Sequence, residues 1–132
     1  MTRSPLRLGL VGCGRLAELG YLPAIGRTPA LDLVAVADPD AGRRERLATL
    51  GGDAGRGRVP AFADTSDLLA GIEVDALVLA SPAASHVADA AAATAAGVAV
   101  LVEKPPAPDA AGAAALLALD PAPSVGFNRR FD

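Results

Sequence analysis

Two glycines and an alanine stand in the spacing of a phosphate-binding turn. Gly12, Gly14 and Ala17 follow the apolar run of residues 6–11 and fit the pattern G-x-G-x-x-G/A. In such a turn the first glycine lets the chain reverse, and the second lets a pyrophosphate approach the backbone. The phosphates then lie at a helix N-terminus, where free N–H groups attract anions. The same spacing also fits an ordinary turn between a strand and a helix.

An acidic residue, Asp38, directly follows a second apolar run, residues 31–37. It lies about twenty residues beyond Ala17, where the carboxylate of a dinucleotide site accepts hydrogen bonds from the adenosine ribose hydroxyls. Because Pro39 follows, Asp38 also fits the N-cap of the next helix, and both roles stay open. A carboxylate here repels a 2′-phosphate, so we expect NAD rather than NADP.

Two arginines, Arg43 and Arg44, lie on the helix predicted just beyond Asp38. A phosphate-binding role for either of them would require NADP in the site. We favour the alternative that they belong to a solvated helix face with charged partners one turn away.

Strand-like and helix-like runs alternate along the whole chain, which predicts an α/β fold with a doubly wound parallel sheet. The expected strand order is 3-2-1-4-5-6, that of a Rossmann fold, with the ligand crevice at the carboxyl ends of strands one and four. The predicted strands are residues 6–11, 31–37, 58–62, 74–80, 98–102 and 124–127. The first predicted helix runs through Leu16 and Leu19, is disturbed at Gly20 and restarts at Pro23. The other predicted helices are residues 40–50, 64–69, 83–96 and 109–119.

Composition limits the function classes. The chain has 132 residues, enough for one domain, and its core should be aliphatic because only 3% of residues are aromatic. A net charge of −3 argues against a dedicated nucleic-acid binder. The lone cysteine fits a reducing cytoplasm. No apolar run is long enough for a signal peptide or a membrane span, and we expect no membrane partner and no metal site.

Several short motifs carry a resemblance to a known family. In chain order they are Gly-Cys-Gly-Arg-Leu-Ala at 12–17, Tyr-Leu-Pro-Ala-Ile at 21–25, Ala-Asp-Pro-Asp at 37–40, Ser81-Pro82 followed by His86, Glu-Lys-Pro at 103–105, and Val-Gly-Phe-Asn-Arg-Arg-Phe at 125–131. Together they resemble the N-terminal half of the Gfo/Idh/MocA oxidoreductases, named for glucose-fructose oxidoreductase and inositol dehydrogenase. Glu-Lys-Pro is the most specific of them.

The resemblance implies a nicotinamide dinucleotide site and NAD(P)-dependent hydride transfer to or from a hydroxyl-bearing carbon of a sugar, cyclitol or related polyol. It places the glycine turn at the pyrophosphate, Asp38 at the ribose, Ser81 and Pro82 at the nicotinamide end, and Glu103 and Lys104 between cofactor and substrate. The implied cofactor-binding residues are Gly12, Cys13, Gly14, Arg15, Leu16, Ala17, Asp38, Ser81, Pro82, His86, Glu103 and Lys104.

Lys104 is the candidate catalytic residue, because an ammonium can stabilise negative charge that develops on the reacting oxygen. The alternative for Glu103-Lys104 is a surface ion pair of little energetic value. We expect His86 to pack beside the cofactor, with proton transfer as its alternative role. Cys13 is expected to fill the tight turn, with nucleophilic chemistry as its alternative. A cis peptide bond is expected at Lys104-Pro105.

The chain also departs from the family pattern. Ala83 stands where asparagine is frequent, and Pro106 stands where leucine is usual. Residues 1–127 form the expected dinucleotide-binding domain, and residues 128–132 the start of a connection to a substrate domain that this chain does not include. The chain could be a fragment of a longer protein, one subunit of a split enzyme, or a binding module. Its possible partners are a second domain or subunit that completes the site and further copies of the same chain in a homo-oligomer. The second function class is a dinucleotide-responsive regulatory module without catalytic activity.

Overall fold

Six parallel strands form one sheet at the centre of the protein. The computed structural model describes residues 4–52 and 57–126. The strands are β1 (Leu6–Val11), β2 (Leu31–Ala37), β3 (Ala61–Phe62), β4 (Ala76–Leu79), β5 (Ala99–Glu103) and β6 (Ser124–Gly126). All neighbours pair in parallel in the order β3-β2-β1-β4-β5-β6, which confirms the predicted strand order and fold class.

Helices cover both faces of this sheet. A π-helical turn (Ala17–Tyr21) leads into α1 (Leu22–Gly26), and the other helices are α2 (Ala41–Leu50), α3 (Thr65–Gly71), α4 (Ala83–Ala95) and α5 (Ala110–Leu117). The predicted disturbance of the first helix is present. Pro23 cannot donate to the preceding turn, and the hydrogen bonding widens just before it.

Two aliphatic clusters fill the space between the sheet and the helices. Because side chains alternate along a strand, Leu10 belongs to one cluster and Val11 to the other. The same alternation divides Val36 from Ala35 and Ala37 in β2. The central strands are therefore covered on both faces, as their unbroken apolar sequences predicted.

Strand β4 is shorter than the predicted range 74–80, although backbone hydrogen bonds to β1 continue at Asp75 and Ala80, just beyond its two ends. The Asp75 carboxylate accepts the backbone N–H of Arg7 at 2.7 Å and also binds the Arg7 guanidinium. A carboxylate thus replaces a ladder partner beside the first residues of β1.

Aspartates cap three of the helices. The side chains of Asp40, Asp64 and Asp109 each accept a backbone N–H three residues later, in every case at 2.8 Å. The N-cap of α2 is therefore Asp40, and the capping role considered for Asp38 is wrong. Among the residues that the structure describes, none of the helices has both the length and the apolar character that crossing a membrane requires.

Candidate dinucleotide-binding site

A cleft of about 420 Å³ opens at the carboxyl ends of the central strands. This volume lies in the range of small-molecule sites. Its walls bring together four of the predicted site residues, namely Gly12, Asp38, Ser81 and Pro82, which follow three different strands. The remaining wall residues are Val11, Ala37, Pro39, Arg43, Ala63, Asp64, Thr65, Ala84, Ser85 and Asp89.

The glycine turn has the geometry that its spacing predicts. Gly12 has a φ of +92°, and a β-carbon added there would lie 2.5 Å from the backbone nitrogen of Ser81. A β-carbon at Gly14 would have no heavy atom within 4 Å, so that backbone faces open space. Ala17 is buried where the first helix packs on the sheet. The first glycine is thus required by the turn, and the second leaves room for a ligand.

Asp38 is held rigidly at the wall of the cleft, with only 7% of its surface exposed. One carboxylate oxygen accepts the N–H of Cys13 at 2.8 Å, and the other accepts the N–H of Asp40 at the same distance. Each oxygen keeps a further lone pair for a hydroxyl donor. The carboxylate is therefore fixed beside the glycine turn and can accept hydrogen bonds from a ligand.

The two arginines on α2 differ in what they contact. The Arg44 guanidinium donates to the backbone carbonyls of Asp38 and Pro39. Arg43 is exposed and lines the cleft. If either arginine contacts a 2′-phosphate, Arg43 is the one that lines the cleft.

Cys13 fills the turn, and its surroundings disfavour the thiolate. Its thiol is buried and donates to the carbonyl of Ala37 at 3.4 Å. Burial, reinforced by the nearby charge of Asp38, raises the pKa of Cys13 from 9.0 to about 12. Because the thiolate is the reactive form, the thiol stays inert at neutral pH.

The raised pKa of Cys13 predicts a loss of stability in alkaline solution. The folded state holds the thiol proton more tightly, so this contribution is complete below pH 9 and is lost as the pH rises towards 12. Within that window the free energy of unfolding should fall by up to about 1.4 kcal/mol per pH unit. Urea titrations of the wild type and Cys13→Ala should show this steeper decline in the wild type alone. Parallel slopes for the two proteins would contradict the prediction.

The buried ring of His86 contacts the backbone of two loops at the carboxyl ends of the strands. Its ring is 1% exposed, with Nε2 2.7 Å from the Ser81 carbonyl oxygen and Nδ1 3.1 Å from the Pro106 carbonyl oxygen. Both nitrogens face backbone acceptors, so neither is available to a ligand or to a substrate proton. These contacts give His86 a positioning role, while its packing beside a cofactor stays a prediction. His86 ties the loop after β4 to the loop after β5.

Glu103 and Lys104 end strand β5 at the same edge of the sheet but outside the cleft. The Tyr21 hydroxyl donates a hydrogen bond to the Glu103 carboxylate. Burial, together with this hydrogen bond, raises the pKa of Tyr21. The Lys104 side chain is exposed and forms no ion pair with Glu103 in the described part of the chain, so the surface-pair alternative is wrong. The Lys104-Pro105 bond is cis, as expected.

The remaining predicted residues, Arg15 and Leu16, lie exposed at the start of the first helix and do not line the cleft. Five residues with polar groups in or near the site were not predicted as site residues, namely Tyr21, Asp64, Thr65, Ser85 and Asp89. Tyr21 belongs to a motif that carried the family resemblance. Asp89 lies one helical turn beyond Ser85, and that spacing could have placed it on the same helix face.

A family model confirms what the fold and the glycine turn indicate. The model of the Gfo/Idh/MocA oxidoreductase family, NAD-binding Rossmann fold, matches residues 6–123. The chain belongs to this family.

Characterised family members resemble the chain over part of their length. Inositol 2-dehydrogenase 4 of Saccharopolyspora erythraea is 36% identical over 137 aligned positions, which cover 100% of this chain and 39% of that protein. Galactose 1-dehydrogenase of Pseudomonas fluorescens is 39% identical, covering 77% of this chain and 30% of that protein. The chain therefore spans less than two fifths of the length of these Gfo/Idh/MocA relatives.

A solved family structure has the same architecture. The WlbA dehydrogenase of Bordetella pertussis, in complex with NADH and UDP-GlcNAcA, superposes with a TM-score of 0.78 at 32% identity. The match covers 92% of this chain and 35% of that one.

Proposed function

We propose that this chain is the cofactor-binding part of an NAD-dependent oxidoreductase that acts on a hydroxyl-bearing carbon of a sugar, cyclitol or related polyol. The observation that carries the proposal is the juxtaposition of the Gly12 turn and the fixed carboxylate of Asp38 in one cleft. The inositol and galactose dehydrogenases among its relatives support the substrate class.

The residues present fit a dinucleotide. Gly14 leaves space for a pyrophosphate to approach the backbone, and the N-terminus of the helix that follows the turn would favour its negative charge. Asp38 offers acceptors to a ribose diol. A bound nicotinamide cofactor would supply hydride acceptance or donation, chemistry that amino-acid side chains lack.

The polar groups at the ends of β4 and β5 would serve the reacting end. Ser81 and Pro82 would border the nicotinamide, and the Glu103 carboxylate, held by Tyr21, would lie between cofactor and substrate. A bound cofactor would accept the hydride of an alcohol under oxidation, and we assign the hydroxyl proton to a base in the second domain or subunit that would complete the crevice. The Lys104 ammonium would orient the reacting hydroxyl and stabilise negative charge on its oxygen.

The proposed domain comprises residues 1–127, and the proposed connection, residues 128–132, lies outside the described residues. A second domain or subunit would complete the substrate side of the crevice, and a homo-oligomer is a further proposal. We also place the protein in the cytoplasm, on the basis of its lone, reduced cysteine.

Cofactor selectivity tests the role of Asp38. We expect NAD to bind more tightly than NADP, by about tenfold, because a 2′-phosphate beside a buried carboxylate is repelled. Calorimetric titration of the chain with each dinucleotide measures the ratio. Arg43→Ala serves as the matched variant and should widen the preference, since it removes a cation that lines the cleft. Tighter NADP binding would refute the assignment.

The chain as it stands should bind NADH weakly and should not oxidise polyols. The glycine turn and Asp38 lie within it, but hydride transfer needs the substrate carbon held about 3–3.5 Å from the nicotinamide, in a site that excludes water. Fluorescence titration with NADH, beside a rate assay over a polyol panel, tests both parts. Cofactor-dependent oxidation that Lys104→Ala abolishes would show that the catalytic groups are already complete. A failure to bind NADH would overturn the proposed function.

A further inference from the structure

One part of the cleft wall is formed by residues of α3 and α4. Thr65, the first residue of α3, and Asp89, on α4, lie in that wall together with the apolar side chains of Ala63 and Ala84. Thr65 is only 2% exposed, and its hydroxyl has no hydrogen-bond partner among the described residues. Buried hydroxyls without a partner are rare in folded proteins, so this one indicates a function at this part of the cleft.

Asp89 is the available carboxyl in this region. Asp64 already caps α3 through the N–H of Asp67, and the Ser85 hydroxyl donates to the Pro82 carbonyl. No hydrogen bond to backbone occupies the Asp89 carboxyl within the described part of the chain. Its oxygens can therefore accept hydrogen bonds from a ligand that enters the cleft.

Thr65 is close enough to Asp89 to influence its ionisation. Burial raises the pKa of Asp89, while the neighbouring Thr65 hydroxyl and His86 oppose the rise and Asp64 adds to it. Thr65 and Asp89 are thus near enough to interact, although the Thr65 hydroxyl makes no hydrogen bond of standard geometry within the described residues. A small rotation of the carboxyl would let Thr65 donate to one Asp89 oxygen, which would leave the other oxygen facing the cleft.

The groups that line the cleft identify the part of the ligand that reaches this part of the wall. A dinucleotide with its pyrophosphate at Gly12 and its ribose at Asp38 would place its adenine among the remaining wall residues, which include Pro39, Ala63 and Ala84. Apolar walls suit the faces of a purine, and the polar groups of the same wall suit its edge. This step rests on the proposed function.

We propose that Asp89, positioned by Thr65, accepts a hydrogen bond from the exocyclic amine of adenine and so selects adenine over bases with a keto group at that position. A carboxylate only accepts hydrogen bonds, and the adenine amine only donates them. Hypoxanthine has a carbonyl oxygen there, which would place two acceptors face to face. Sites built around one hydrogen bond reject analogues that leave their buried polar group unpaired.

The test compares NAD with nicotinamide hypoxanthine dinucleotide, which differs from NAD only in the base. Displacement of fluorescent NADH from the chain measures both affinities. We expect the wild type to bind the hypoxanthine analogue about tenfold more weakly, the effect of one lost hydrogen bond to a charged group. Equal affinities would overturn the proposal and leave the proposed function intact. A chain that binds neither dinucleotide would overturn both.

Three variants separate recognition from folding. Asp89→Asn keeps the side-chain volume, and its amide can donate a hydrogen bond to the keto oxygen of hypoxanthine. The preference for NAD over the hypoxanthine analogue should therefore fall to about one- to twofold. Thr65→Val should lower the selectivity less, because it removes the group that orients the carboxyl. Asp67→Asn removes the same charge at an exposed position on α3, outside the cleft, and should leave the ratio unchanged. A tenfold preference that persists in Asp89→Asn would overturn the proposal.

Discussion

Gly12→Ala is expected to abolish dinucleotide binding and to lower the free energy of unfolding by roughly 2–4 kcal/mol. The backbone at position 12 has a φ of +92°, which L-residues with a β-carbon rarely adopt. The added methyl group would also lie 2.5 Å from the Ser81 nitrogen, and backbone on both sides cannot yield as a flexible side chain would. Relief requires the β1 and β4 ends to separate, which opens the phosphate-binding turn. Chemical unfolding and NADH titration measure the two effects.

Gly14→Ala is the matched control, because it adds the same methyl group two residues away. Nothing lies within 4 Å of the new carbon, so the free energy of unfolding should change by no more than about 0.5 kcal/mol. The methyl group would occupy space that a pyrophosphate needs, and NADH affinity should fall by about tenfold, or roughly 1.4 kcal/mol. Wild-type affinity in Gly14→Ala would show that the pyrophosphate does not lie at this turn.

The sequence predicted those features that depend on neighbouring residues. Gly12 and Asp38 follow apolar strands directly, and parallel strands in a doubly wound sheet bring their carboxyl ends to one edge. The strand order and the glycine turn follow from that rule. The bend near Pro23 follows equally from a local cause, the missing backbone donor.

Contacts between distant elements could not be predicted in the same way. Asp38 does not cap α2 because its carboxylate accepts the N–H of Cys13, which lies 25 positions earlier in the chain. Asp40 caps the helix instead. The bond from Tyr21 to Glu103 joins the first helix to the fifth strand. Thr65 and Asp89 lie on separate helices that only tertiary packing brings together. To predict any of these contacts, one must know where the side chains point, and the packing of the folded chain determines those directions.

Asp38→Ala should reduce both stability and cofactor binding. It would leave the N–H groups of Cys13 and Asp40 without their acceptor in a buried site, at a cost of about 2–4 kcal/mol in the free energy of unfolding. It would also remove the charged acceptor for the ribose hydroxyls. Because hydrogen bonds to charged groups contribute roughly 1.5–3 kcal/mol, NADH affinity should fall by about two orders of magnitude. Urea unfolding and fluorescence titration provide the measurements.

Asp40→Ala provides the control for this prediction, because the two aspartates are two residues apart and both accept backbone N–H groups. Loss of the α2 cap should cost about 1 kcal/mol in the free energy of unfolding. The bond from the Asp40 N–H to Asp38 does not involve the Asp40 side chain, so the Asp38 carboxylate would stay in place and NADH affinity should be unchanged. If the two variants lose affinity equally, disturbance of α2 rather than loss of a ribose contact explains the effect of Asp38→Ala. If only Asp38→Ala loses affinity, the loss is due to the Asp38 carboxylate and not to a disturbance of α2.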